Sequence, residues 1–227
     1  MRFLIAVCAI ALTACTPTAT DPVLTVPFSP PVSTPELVKT IDVKVKAALV
    51  PPETFDDIGG RFESDKPKFT AEPVATDGDL SRVCQGVKVD SGVTTSRVRT
   101  WSGPVIINQI VSGLVGVDAQ HVLGAVRDKA RSCRTWVDGI GKPEREVKAD
   151  VELPELEGVE GSYAFCSSFT EISPPVWGCE AFLVRGDLVV GLRVASGDEP
   201  TARQHLPEVA RRAARTGRGR LSAIGST

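Results

Sequence analysis

Residues 176–194, "VWGCEAFLVRGDLVVGLRV", decide the fold class. Two strand-like apolar runs, Val176–Val184 and Leu188–Val194, flank Arg185-Gly186-Asp187. A glycine at that place supplies the positive φ of a tight turn, so the stretch predicts a β-hairpin. The same three residues spell an integrin-attachment tripeptide, but the hairpin accounts for them fully. Just upstream, Tyr163–Phe169 is a third strand-like run.

Moving outward, Lys142–Gly161 is acidic and irregular, with one strand expected around Val147–Leu153. Before it, Asp118 is an N-cap, and Ala119, Val122, Leu123, Val126, Ala130, Cys133 and Val137 fall on one helical stripe stopped by Gly139. Trp136 lies at the edge of that stripe, completing the core or lining a pocket. Val93–Trp101 and Pro104–Val111 ("PVIINQIV") read as strands, the second apolar enough for a sheet's centre. Thr34-Pro35-Glu36 opens a helix, with Leu37, Val38, Ile41, Val45, Ala48 and Leu49 on one stripe and Pro51-Pro52 as its stop. A short helical turn follows at Glu53–Ile58, then a long loop over Arg61–Ser81. Leu206, Val209, Ala210, Ala213 and Ala214 mark a last helix that contains Pro207. Helices bracketing antiparallel strands predict an α+β fold, a central antiparallel sheet with helices packed on one face.

The other end of the chain fixes its compartment. In "MRFLIAVCAIALTAC" Arg2 is the only charge, and Phe3–Ala14 is a short apolar run. A bilayer-spanning helix takes about 20 residues, so this run reads as a secretory signal. Leu12-Thr13-Ala14-Cys15 resembles the bacterial lipobox, in which the cysteine thiol receives a diacylglyceryl group and cleavage leaves that cysteine first. Residues 1–14 are then the signal peptide, and Cys8 is discarded with it. A two-chain lipid is a stable tether. Residues 15–34 follow as a lipidated, proline-rich spacer, with six prolines from Cys15 to Pro35 inclusive. The folded domain spans 35–216, and the Gly/Arg/Ser-rich residues 217–227 are a disordered tail.

Composition narrows the function. A net charge of −2 argues against a nucleic-acid partner. Cys84, Cys133, Cys166 and Cys179 remain in the mature chain, an even count that predicts two disulfides in an exported protein. Three pairings are open, and Cys166–Cys179 is expected because the two lie on neighbouring strands. No Cys-x-x-Cys pair, nucleophile elbow or phosphate-binding loop occurs, so no metal, cofactor or catalytic residue is assigned. His121 should face solvent, and His205 lies at the start of the last helix. Asp56-Asp57 and Asp77-Gly78-Asp79 read as turn carboxylates and not as calcium ligands. Seven acids between Glu144 and Glu160, and six arginines between Arg203 and Arg220, read as two solvated faces. The sharper alternative makes the arginine-rich end a contact for anionic lipid headgroups or phosphate-bearing polymers.

"VPPETFDDIGGRF", Cys84, "INQIVSGLVGVDAQHVLGAVRDKARSC" and "WGCEAFLVRGDLVVGLRV" together resemble the extracytoplasmic sensor domain of mycobacterial PknH-type Ser/Thr kinases, a family that includes actinobacterial lipoproteins. The resemblance runs from about residue 36 to 215. It implies an α+β domain with two disulfides and a cleft for an unidentified ligand. By position it implies a Cys84–Cys133 bridge. The family's last cysteine would fall near Ala195 or Ser196, where this chain has none, so Cys179 must take Cys166 as its partner. There is no kinase domain here. The expected protein is a non-enzymatic lipoprotein on the extracytoplasmic face of the cell membrane, binding a small or lipidic envelope molecule. The alternatives are a structural protein that binds an envelope protein partner, and a hydrolase with a hidden triad.

Overall fold

The computed structural model describes residues 24–26, 35–58, 60–69, 78–81, 87–89, 93–136, 145–169 and 176–224. In chain order these form β1 (Leu24–Val26), α1 (Pro35–Ala48), a 3-10 helix (Pro52–Ile58), β2 (Arg61–Phe69), β3 (Gly78–Ser81), β4 (Val87–Val89) and β5 (Val93–Ser102). Then come β6 (Ile106–Leu114), α2 (Ala119–Ser132), β7 (Thr135–Trp136), β8 (Arg145–Lys148), β9 (Gly161–Phe169), β10 (Val176–Arg185), β11 (Leu188–Ser196) and α3 (Glu199–Ile224).

The hairpin forms where the sequence puts it. β10 pairs with β11 from Trp177↔Ser196 to Arg185↔Leu188, and Gly186 turns the chain at φ 53°. That pair is the centre of an antiparallel sheet of order β2-β5-β6-β11-β10-β9-β8-β7. A second, small sheet joins β1 to β4 in parallel and β3 to β4 antiparallel.

Alternation sorts the side chains into two cores. On one face Ile107, Val111, Leu188, Val190, Leu192, Val194, Ala181 and Leu183 meet Ile41 and Val45 of α1 and Leu206, Val209 and Ala213 of α3. On the other face Leu114, Val189, Phe182, Val184, Tyr163 and Phe165 meet Val122, Leu123 and Val126 of α2. Helices thus cover both faces, not the single face expected. The reason lies in β9, β10 and β11, whose neighbouring positions are apolar in both parities and must be buried on both sides.

Gly113 of β6 lets α1 approach: a Cβ there would stand 2.1 Å from Ile41 Cγ2. The exit of α1 is pinned from below. Gln109, fully buried, accepts from Val50 N at 3.0 Å and donates to Ala48 O at 3.1 Å. Arg99 donates to Val50 O, and Trp101 Nε1 donates to Pro52 O at 2.6 Å. Phe55 of the 3-10 helix packs edge-on against Trp101, with ring centroids 4.8 Å apart. Arg212 of α3 clamps the same helix through Thr54 O and Asp57 while pairing with Glu208.

Several expectations are corrected. Arg61–Ser81 is not all loop, since β2 and β3 lie within it. β2 is charged and holds Pro67 because it is an edge strand, where a missing N–H is tolerated and charge discourages further pairing. Residues 70–77 lie outside the described set. The helix expected to reach Gly139 ends at Ser132, because Cys133 is extended (φ −116°) and Thr135-Trp136 pair with Arg145-Glu146. Its N-cap is as expected, with Asp118 accepting from Gln120 N at 2.9 Å. The first turn of α1 carries an exposed Leu37 instead of burying it. The expected tail at 217–227 is helical as far as Ile224, because extending an existing helix avoids the nucleation cost that an isolated segment meets. Within the expected spacer, Leu24–Val26 is a sheet strand.

Candidate functional site

Cys15 and Cys84 lie outside the described residues. Cys133 is buried at the end of α2. Cys166 and Cys179 face each other in register on β9 and β10 and form a fully buried disulfide, with Cα atoms 4.0 Å apart. One disulfide is thereby shown, and it is the one expected from neighbouring strands.

The histidines do not meet. His121 is exposed on α2, as expected, whereas His205 is half-buried on α3, across the sheet. That separation leaves no site that uses both. Among the described residues no group of three His, Cys, Asp or Glu side chains could hold a metal ion. Asp57 belongs to a structural ion pair: the hydrogen bond from Arg212 holds its carboxyl below the usual range, and the same donor does so for Glu208.

Part of each charge run is paired within the fold. Arg203 pairs with Glu199, Arg211 with Glu208, and Arg212 with Glu208 and Asp57. In the acidic run, Asp150 pairs with Arg131 at 2.8 Å and Glu160 accepts from Gly186 N at 2.8 Å. Lys148 bonds Glu199 and stands 4.8 Å from the centre of the Trp177 ring. Trp101 is core, and Trp136 sits in β7 instead of at a helix edge.

The unassigned chemistry lies on the sheet face beside α2. α2 packs over β9 and β10, so the same face of β6 and β5 extends past it. The pairing registers line up Thr100, Asn108, Arg193 and Glu180 as one row across β5, β6, β11 and β10. All four are half-buried, and Thr100 Oγ1 donates to Asn108 Oδ1 at 3.0 Å. At its inner end the row continues to Phe165 of β9, in the α2 core. A parallel row on one side runs Val98, Ile110, Gly191 and Phe182. On the other side runs Ile106, Ala195 and Gly178, with Ile106 45% exposed.

A few polar groups fixed between apolar rows are what a recognition surface needs. The apolar atoms supply affinity and the polar ones fix orientation. Within the row, the carboxylate of Glu180 and the guanidinium of Arg193 occupy directly opposite positions across the β10–β11 pair. Sequence reading missed this row. Its signal was Glu180 inside "VWGCEAFLV" and Arg193 inside "LVVGLRV", single charges in runs that otherwise read as core.

No known protein family matches the chain, and no curated protein does. Among solved structures, the extracellular domain of PknH from Mycobacterium tuberculosis is similar at 12% identity with a TM-score of 0.48, covering 81% of this chain and 96% of that one. The likeness is one of overall layout, and no residue's role is carried across from it. No described helix is long and apolar enough to cross a membrane.

Proposed function

We propose that this is a cell-envelope lipoprotein, anchored through Cys15, whose extracytoplasmic domain binds a small or lipidic molecule without catalysis. The observation that carries the binding reading is the half-buried row Thr100–Asn108–Arg193–Glu180 between two apolar rows. The buried Cys166–Cys179 disulfide supports an oxidising, exported location. The lipobox-like Leu12-Thr13-Ala14-Cys15 supports the anchor.

The binding test is native mass spectrometry of the chain from Thr16 onward, exported behind a cleavable signal and purified gently. The expected result is a discrete extra mass that denaturation removes and that is lost in Asn108→Leu/Arg193→Leu. A mass retained by the double variant would place the ligand elsewhere. A bare polypeptide mass would favour a surface for an envelope protein partner. For the anchor, Cys15→Ala should move the protein out of the membrane fraction or arrest its maturation, and an unchanged distribution would remove the lipoprotein reading.

A further inference from the structure

The route by which the chain leaves the domain fixes which side can face a membrane. β1 pairs in parallel with β4, Leu24↔Val87 to Val26↔Val89, and both strands contact α2. The burial of α2 widens to match. Ala125 and Lys129, which flank the Val122–Val126–Ala130 stripe on one side, are buried as well. β1 therefore belongs to the α2 side, and α1 and α3 lie on the other side of the sheet.

Only residues 16–23 separate Cys15 from Leu24. An extended chain covers at most about 3.3–3.6 Å per residue, so Leu24 lies within about 30 Å of Cys15 whatever path those residues take. Counted to Pro35, the reach would be about 70 Å. A domain of this size is roughly 40 Å across by the usual scaling of radius with length. A 70 Å tether lets such a domain present any side to the bilayer. A 30 Å tether fixed on one side cannot be stretched round to the opposite side.

We propose that β1 locks the tether, so that the small sheet and α2 form the membrane-facing side of the domain. The row Thr100–Asn108–Arg193–Glu180 shares that side and is held at the surface of the bilayer to which the chain is anchored. The ligand class this selects is a lipid headgroup or lipid-borne molecule taken from that surface. The inference rests on the Cys15 anchor proposed above and deepens the binding reading.

The test compares two insertions in the full lipidated protein, reconstituted in nanodiscs that contain nitroxide-headgroup lipid. A 20-residue Gly-Ser spacer goes after Thr20, before β1, or between Ser29 and Pro30, after β1. The readout is paramagnetic broadening of the amides of His121 and Asp128 on α2 against Gln204 and Arg215 on α3. The native protein and the later insertion should both broaden the α2 signals several-fold more than those of α3. The earlier insertion should abolish the difference. Equal behaviour of the two insertions, or stronger broadening on α3, overturns the proposal. Intact mass is measured first: a Cys15 without its diacylglyceryl group overturns the anchor reading itself, a failure distinct from that of the tether geometry.

Discussion

Gln109 is the residue whose replacement tests the packing logic most directly. It is fully buried on β6, and it serves both Ala48 O and Val50 N, which are themselves buried. Ala48 is the last residue of α1, so its carbonyl has no partner within the helix. Gln109→Leu keeps the volume and strands one acceptor and one donor. Each such group costs about 1–3 kcal/mol, so the variant should lose about 2–6 kcal/mol. That is a large share of the 5–15 kcal/mol that typically holds a domain together. Gln109→Glu discriminates further. A carboxylate can accept from Val50 N, but it meets Ala48 O as a second acceptor and can donate only when protonated. Its folded pKa is therefore raised, the folded state holds the extra proton, and the variant's stability falls as pH rises from about 4 through that raised value. Urea unfolding under non-reducing conditions, at pH 4.5 and 7.5, reads both variants. The penalty of Gln109→Glu should grow by about 1.4 kcal/mol for each pH unit climbed between the unfolded and the folded pKa, and that of Gln109→Leu should stay flat. A Gln109→Leu cost below about 0.5 kcal/mol, which is the range of an ordinary surface change, would refute the capping role.

Three further outcomes follow from the same packing. Arg212→Met removes the donor that holds the carboxyls of Asp57 and Glu208 low. A lowered folded pKa stabilises above the unfolded value and is lost as pH falls, so the variant's stability should depend less on pH below about 4 than the native protein's, and parallel acid-unfolding curves would contradict this. Replacing Cys166 and Cys179 by alanine opens a bridge of sequence separation 13 and should cost about 3 kcal/mol, read as a lower Tm, and an unchanged Tm would show the bridge to be energetically idle. Gly113→Ala should destabilise by more than about 1 kcal/mol and expose α1 to proteolysis because its Cβ overlaps Ile41, and wild-type resistance would mean that α1 can shift freely.

What was legible depended on how local its physics is. The β10–β11 hairpin was readable because a turn glycine and two apolar runs are contiguous. The N-cap of α2 was readable because Asp118 acts on a residue two positions on. β2 was hidden because an edge strand needs no apolar pattern, and its proline and charges imitate a loop. The end of α2 was misplaced because its stop is not a glycine but the pairing of Thr135-Trp136 with β8. Gln109 gave no sign of its role, since its partners lie about 60 residues away on another element. The candidate row showed only as two lone charges in apolar runs, because Thr100, Asn108, Arg193 and Glu180 become neighbours only through the strand order β5-β6-β11-β10.

That strand order also sets a timetable for folding. β9, β10 and β11 follow one another and can zip as successive hairpins, and β5 and β6 can do the same. The seam between the two groups joins Gly113 to Leu188, roughly 75 residues downstream, and long-range pairings of that kind close slowly. Until β11 arrives, β6 presents a bare, apolar strand edge, which is the feature that invites pairing with another chain. On the proposed reading of an exported lipoprotein, the chain meets that interval outside the cytoplasm, and aggregation during secretion should be decided at the β6–β11 seam.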